Sequence, residues 1–128
     1  MAGRVAGKVV LLTGGAMGLG KAAAKALLAE GASVIITDID EAAGRATSAE
    51  LGCGYIRQDV TDWARWQEVI AEVEATHGRL DVLVNNAAIT VFGSIADISP
   101  EDFRRCYTVD VDSIFMGCKA AIPLMAKG

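Results

Sequence analysis

Residues Val9 to Gly20 read VVLLTGGAMGLG, and this stretch constrains the chain more than any other. Four consecutive large apolar residues, Val9 to Leu12, read as a strand buried on both faces, as in the middle of a parallel sheet. The chain then turns through Gly14, Gly15, Gly18 and Gly20, which carry no Cβ and accept positive φ, so that backbone can approach a ligand closely. An alanine-rich pattern follows, with Leu19, Ala22, Ala23, Ala26 and Leu27 on one helical face. The glycines therefore lie at a helix N-terminus, where free N–H groups and the helix dipole favour a phosphate.

A second apolar run, Val34-Ile35-Ile36-Thr37, ends in Asp38. An acid about 20 residues beyond a glycine-rich turn is placed to bind a ribose hydroxyl in a dinucleotide fold.

The chain has 128 residues, of which 52% are apolar, and its mean hydropathy is +0.36. That is enough for one core, so a single domain over residues 1–128 is expected. A net charge of −4 leaves no basic footprint for nucleic acid or for an anionic membrane surface. Cys53, Cys106 and Cys118 are widely spaced and form no CxxC pair. They are expected as buried free thiols in a reducing compartment, with no metal site. No apolar run reaches bilayer length and Met1 to Lys8 has no leader pattern, so a cytoplasmic protein is expected.

Taken in order, a first helix is predicted from about Gly18 to Glu30, stopping at Gly31. Strand two spans Ser33 to Asp38, and Asp40 caps a helix from Glu41 to about Leu51. Strand three is Tyr55 to Gln58, and Asp62 caps a third helix with Trp66, Val69, Ile70 and Val73 at helical spacing. Trp63 and Trp66 are read as packing residues. Strand four, Leu80 to Val84, runs into Asn85-Asn86-Ala87-Ala88. Ser99-Pro100-Glu101 starts a short helix joined to a long one, with Phe103, Cys106, Tyr107, Val111, Ile114, Phe115, Cys118 and Ile122 at helical spacing and Pro123 late in the pattern.

Four strands alternating with helices make an α/β, doubly wound parallel sheet of Rossmann type, most simply ordered 3-2-1-4. Gly14 to Gly20, Asp38, Asp59 and Asn86 then converge at the carboxyl ends of the strands, beside the reversal of strand order.

The combination Thr13-Gly14-Gly15-Ala16-Met17-Gly18-Leu19-Gly20, Asp59-Val60 and Asn85-Asn86-Ala87 resembles the N-terminal, cofactor-binding half of the classical short-chain dehydrogenases/reductases. The resemblance implies that Gly14, Met17, Gly18 and Leu19 line a pyrophosphate and that Gly20 permits close helix packing. It places Asp59 and Val60 at an adenine ring, and Asn86 and Ala87 beside a ribose. It implies an NAD-dependent oxidoreductase moving hydride between a secondary alcohol and a ketone, with a small-molecule substrate and a homotetramer built partly through the helix near Asp110 to Ala126. NAD is favoured over NADP because the Asp38 carboxylate accepts from a 2′-hydroxyl but repels a 2′-phosphate; Arg45, nearby in sequence, is the cation that bears on this choice.

Two positions depart from the family pattern. Ala88 stands where the family has glycine, and Asp110 where it has an asparagine that supports a helix irregularity and a proton-relay water. A carboxylate cannot donate as an amide does, so Asp110 is the one catalytic-position candidate, with a solvated helix residue as the alternative. The family's serine and Tyr-x-x-x-Lys are absent: Tyr55 and Tyr107 are followed four positions on by Asp59 and Val111. His77, at a helix end beside Gly78, does not replace them. The chain is thus expected to be a truncated fold, stopping before a fifth strand, with an exposed Val82-Leu83-Val84 edge, weak adenosine-nucleotide binding and no turnover alone. The alternative is a non-catalytic nucleotide-binding or interaction module ending near Gly128.

Overall fold

The computed structural model describes residues 3–128; Met1 and Ala2, the start of the Met1–Lys8 stretch, lie outside the described residues. Strands β1 (Val9–Thr13), β2 (Ser33–Asp38), β3 (Gly54–Arg57) and β4 (Val82–Val84) form one parallel sheet in the order β3-β2-β1-β4, as expected. Helices α1 (Gly18–Ala29) and α2 (Glu41–Leu51) cover one face, and α3 (Trp63–His77) and α5 (Ser113–Met125) the other. Helix α4 (Pro100–Tyr107) joins α5 through a π-helical turn, Thr108–Asp112. No described helix is long and apolar enough to cross a membrane.

Alternation along the strands sorts the core. Val9, Leu11 and Ile35 pack with Trp66, Val69, Val73 and Leu124, whereas Val10, Leu12, Val34 and Ile36 pack against Ala24 and its neighbours on α1. Continuous apolar runs in β1 and β2 follow from this two-sided burial. Asp40, Asp62 and Ser99 cap their helices as predicted, accepting from the N–H groups of Ala43, Arg65 and Asp102 at 3.0, 3.1 and 3.0 Å.

Several details differ from the sequence-based expectations. The buried face of α1 carries Gly20 and Ala24, with Ala23, Leu27 and Leu28 half-buried, while Leu19 is 84% exposed and Ala22 and Ala26 also face outward. Contact at Gly20 sets this phase: a Cβ there would lie 2.1 Å from the Gly14 carbonyl oxygen. β3 runs one residue earlier than predicted. β4 begins only at Val82, because Asp81 supplies a side chain in place of a ladder group: the Val9 N–H donates to Asp81 Oδ2 at 2.8 Å while the Asp81 N–H donates to the Val9 carbonyl at 2.9 Å. Leu80 precedes the strand but is buried.

Trp66 is fully buried and donates its indole N–H to the Val60 carbonyl at 2.8 Å. Trp63 is instead a surface residue, its ring 5.6 Å from the Lys119 ammonium. All three cysteines are free but half-buried rather than buried, and burial pushes the Cys53 thiol up from its ordinary value. The apolar stripe of α4 and α5 faces outward through Phe103, Tyr107, Val111, Ile114, Phe115 and Ile122. Small residues, Ser113, Gly117 and Ala121, turn inward with Leu124, because a Cβ at Gly117 would lie 2.8 Å from both Asn85 Oδ1 and the Trp66 ring. Pro123 falls in the last turn of α5, which ends two residues later.

Two outcomes follow from these contacts. Gly20→Ala forces a backbone shift and loses about 2 kcal/mol, whereas Gly18→Ala, strained only by its φ of +59° with open space around it, loses about 1 kcal/mol; urea unfolding of both variants checks the order. Arg79, 2.6 Å from Asp81, and then the Val9 N–H hold the Asp81 carboxyl below its ordinary value near 3.8. A depressed folded-state pKa contributes stability above the unfolded value that is lost as pH falls through the folded one. The Tm gap between the parent and Asp81→Asn is therefore full near neutral pH and narrows as pH falls below about 4, measured by thermal melts across that range.

Candidate functional site

The carboxyl ends of all four strands open into a crevice of about 410 Å³. Gly14, Met17, Leu19, Gly20, Asp38, Asp59, Val60, Asn86 and Ala87, named from the sequence, all line it. Gly18 does not, although it sits between two residues that do. Asp110 lies off the lining and reaches it through one hydrogen bond, its Oδ1 accepting from the N–H of Ile89 at 2.8 Å.

The glycine turn is held from beneath. Gly15 N–H donates to the Thr37 carbonyl at 3.1 Å, and Thr47 donates its hydroxyl to the Ala16 carbonyl at 2.6 Å. Asn86 Nδ2 donates to the Gly14 carbonyl at 3.1 Å. The residues after β4 are tied to β1 by Thr13, whose hydroxyl accepts from the N–H groups of Asn86 and Ala87, both at 3.0 Å, and donates to the Val84 carbonyl at 3.4 Å.

Helix α1 differs from α2, α3 and α4 at its start in having no side-chain cap, at Met17. Like α3, and unlike α2 and α4, it carries no acidic residue in its first turn. Met17, Leu19 and Gly20 at its start line the crevice, the first two with exposed side chains, and the first N–H groups of a helix have no partner within it. A Cβ at Gly14 would lie 2.9 Å from Ala87 Cα and 3.0 Å from Asn86 Nδ2, so the two sides of the crevice meet where only glycine fits.

Asp38 serves the local fold as well as the opening. Its Oδ2 accepts from the Ala16 N–H at 3.2 Å and its Oδ1 from the Asp40 N–H at 3.1 Å, while its carbonyl accepts from the Tyr55 hydroxyl at 2.9 Å. Burial first, and then the Asp38 charge, pushes the Tyr55 phenol above its ordinary value. Arg45 is engaged elsewhere, paired with Glu41 at 2.8 Å and lying 6.0 Å over the Tyr55 ring. Asp59 Oδ1 accepts from both the N–H and the hydroxyl of Thr61, at 2.9 and 2.7 Å, which fixes the Asp59-Val60 turn. Among the described residues, no lysine or arginine lines the crevice.

The lining also contains Ala88, noted in the sequence where the family has glycine, and Thr37, Ile39, Gln58, Ile89 and Val109, which were not assigned to the site from the sequence. Thr37 and Gln58 flank the two acidic strand ends, so strand parity was a usable signal for them; Val109 enters only through the π-helical turn. His77 stands at the far end of α3, beside the Thr76 hydroxyl, away from the crevice.

Comparison with known proteins agrees with this geometry. The family model for short chain dehydrogenases matches residues 8–128. A 3-beta-hydroxysteroid dehydrogenase from Comamonas testosteroni is 45% identical over 99% of this chain and 51% of its own length. The 2,5-dichloro-2,5-cyclohexadiene-1,4-diol dehydrogenase LinX of Sphingobium indicum is 42% identical over 99% and 53%. A solved short chain dehydrogenase structure from Pseudomonas syringae superposes with a TM-score of 0.92 at 31% identity, covering 100% of this chain and 57% of that one. The chain spans about half the length of the curated relatives it matches. Its family is nonetheless plain: the chain belongs to the short chain dehydrogenases.

Proposed function

We propose that this chain forms the cofactor-binding half of an NAD-dependent oxidoreductase that moves hydride between a secondary alcohol and a ketone. The observation that carries the proposal is the uncapped start of α1 opening onto the crevice beside Asp38. Free N–H groups at a helix N-terminus suit a pyrophosphate, and the glycines at 14 and 20 let the turn, α1 and the segment after β4 pack closely around that opening. In this assignment Gly14, Met17, Gly18 and Leu19 hold the pyrophosphate and Asp38 the adenosine ribose. Asp59 and Val60 meet the adenine, and Asn86 and Ala87 the second ribose. When bound, NAD supplies the hydride acceptor.

The preference for NAD over NADP rests on charge. A 2′-phosphate beside the Asp38 carboxylate meets repulsion, and Arg45 is already paired with Glu41. Arg57 lies in register with Asp38 on β3, so a direct comparison of the two nucleotides is the right test.

Asp110 is proposed as a positioning residue at the reacting end, since its carboxylate holds the Ile89 N–H and thereby the segment after β4. Two of the relatives are, by name, a hydroxysteroid dehydrogenase and a dehydrogenase of a chlorinated cyclohexadiene diol. A cyclic secondary alcohol is accordingly the proposed substrate class of the whole protein, which we also propose to be cytoplasmic and homotetrameric.

Isothermal titration with NAD, NADP and AMP tests the assignment. NAD and AMP are expected to bind with similar affinity and NADP about tenfold more weakly. Asp38→Asn, which keeps one side-chain oxygen to accept from a backbone N–H, narrows that gap. Equal or tighter binding of NADP to the parent would sink the assignment of Asp38. The chain itself holds no Tyr-x-x-x-Lys, so no NADH is expected to form when it is mixed with NAD and a cyclic secondary alcohol, as followed by nicotinamide absorbance.

A further inference from the structure

Two polar side chains in the wall of the crevice have no partner in the protein. The Thr37 hydroxyl and both polar atoms of the Gln58 carboxamide are buried and, among the described residues, make no hydrogen bond. Their residues are 0% and 1% exposed. Both belong to the crevice lining, Thr37 near the end of β2 and Gln58 just beyond the end of β3.

The sheet brings them to one face. Thr37 is the register partner of Ile56, and Gln58 follows two residues later, with its N–H still bonded to the Asp38 carbonyl at 3.1 Å. Strand alternation therefore puts Thr37, Ile56 and Gln58 on the same side, the side covered by α3. On β1 the neighbour of Thr37 is Thr13. That hydroxyl already accepts two hydrogen bonds and donates one, so it has nothing left to offer. The Trp66 indole N–H, in the same core, is spent on the Val60 carbonyl.

Three donor hydrogens and two acceptor oxygens thus have no hydrogen-bond partner among the described residues. Buried polar groups are almost always paired, and the group that pairs them when the protein does not is an internal water with two to four partners. We infer that Thr37 Oγ1 and the Gln58 carboxamide share one internal water behind the crevice wall. Gln58 is then a positioning residue. The water links the end of β2 to the end of β3, and so sets the spacing of Asp38 and Asp59, which follow directly on Thr37 and Gln58. The water site stands on the ligand-free protein; its effect on nucleotide affinity rests on the proposed function.

Nuclear magnetic resonance on the ligand-free protein tests the site. Long-lived water is expected to give cross-peaks of opposite sign in the laboratory-frame and rotating-frame experiments at the Gln58 side-chain amide. Thr37→Val, of the same shape without the hydroxyl, removes them, and Thr37→Ser, which keeps it, preserves them. Absence of the cross-peaks in the parent, or their survival in Thr37→Val, overturns the shared water. Thr37→Ser needs little repacking, so loss of the peaks in that variant while it remains folded also counts against the site. Titration with AMP is the second arm: Gln58→Met is expected to bind about fivefold more weakly, with nicotinamide mononucleotide unaffected. An unchanged AMP affinity in Gln58→Met overturns the positioning role. Failure of the parent to bind AMP overturns the adenosine assignment and leaves the water result standing by itself.

Discussion

The hydroxyl of Thr13 is the interaction on which the crevice depends. It sits at the end of β1 and takes the N–H groups of Asn86 and Ala87 while giving its own hydrogen to Val84. One oxygen therefore satisfies two backbone donors in a segment that has just left the sheet and has no ladder to use. The Asn86 side chain completes the link by donating to the Gly14 carbonyl. These bonds carry the β1–β4 pairing, which ends at Leu12 and Val84, on into the two walls of the opening.

That pairing in turn explains why glycine recurs at the turn. Gly14 and Gly20 are needed because Asn86, Ala87 and the Gly14 carbonyl lie within contact of where a side chain would start. Asp38 has a comparable double duty. Its carboxylate steadies Ala16 and Asp40 while it faces the opening, so its charge is held at one place by the same backbone that forms the turn. Function and local folding are hard to separate at such a residue.

Much of the architecture was legible in the residues. Four apolar runs joined through short connections leave few alternatives to a parallel sheet, and Gly14, Met17, Leu19, Gly20, Asp38, Asp59 and Asn86 do meet in one crevice. Less legible was the rotation of α1, because nearly every position in GLGKAAAKALLA is small or apolar and periodicity cannot choose among its faces. The choice is made by one close contact at Gly20. Helix α5 misleads for a related reason: its large residues form the obvious stripe, yet the steric limit at Gly117 turns the small ones inward. β4 starts late because Asp81 imitates a backbone acceptor, which no pattern of hydropathy records. The roles of Thr13, Thr37 and Gln58 depend on strand parity combined with a count of available donors, so they appear only once the register is known.

The two tryptophans, three residues apart on α3, ended up in opposite environments. Trp66 is sealed in the core with its indole bonded to Val60, while Trp63 lies at the surface against the Lys119 ammonium. The protein thus carries two optical reporters on one helix. A water-soluble quencher reaches Trp63 but not Trp66, so fluorescence separates events on the outer face of α3 and α5 from loosening of the interior that supports the Asp59-Val60 turn.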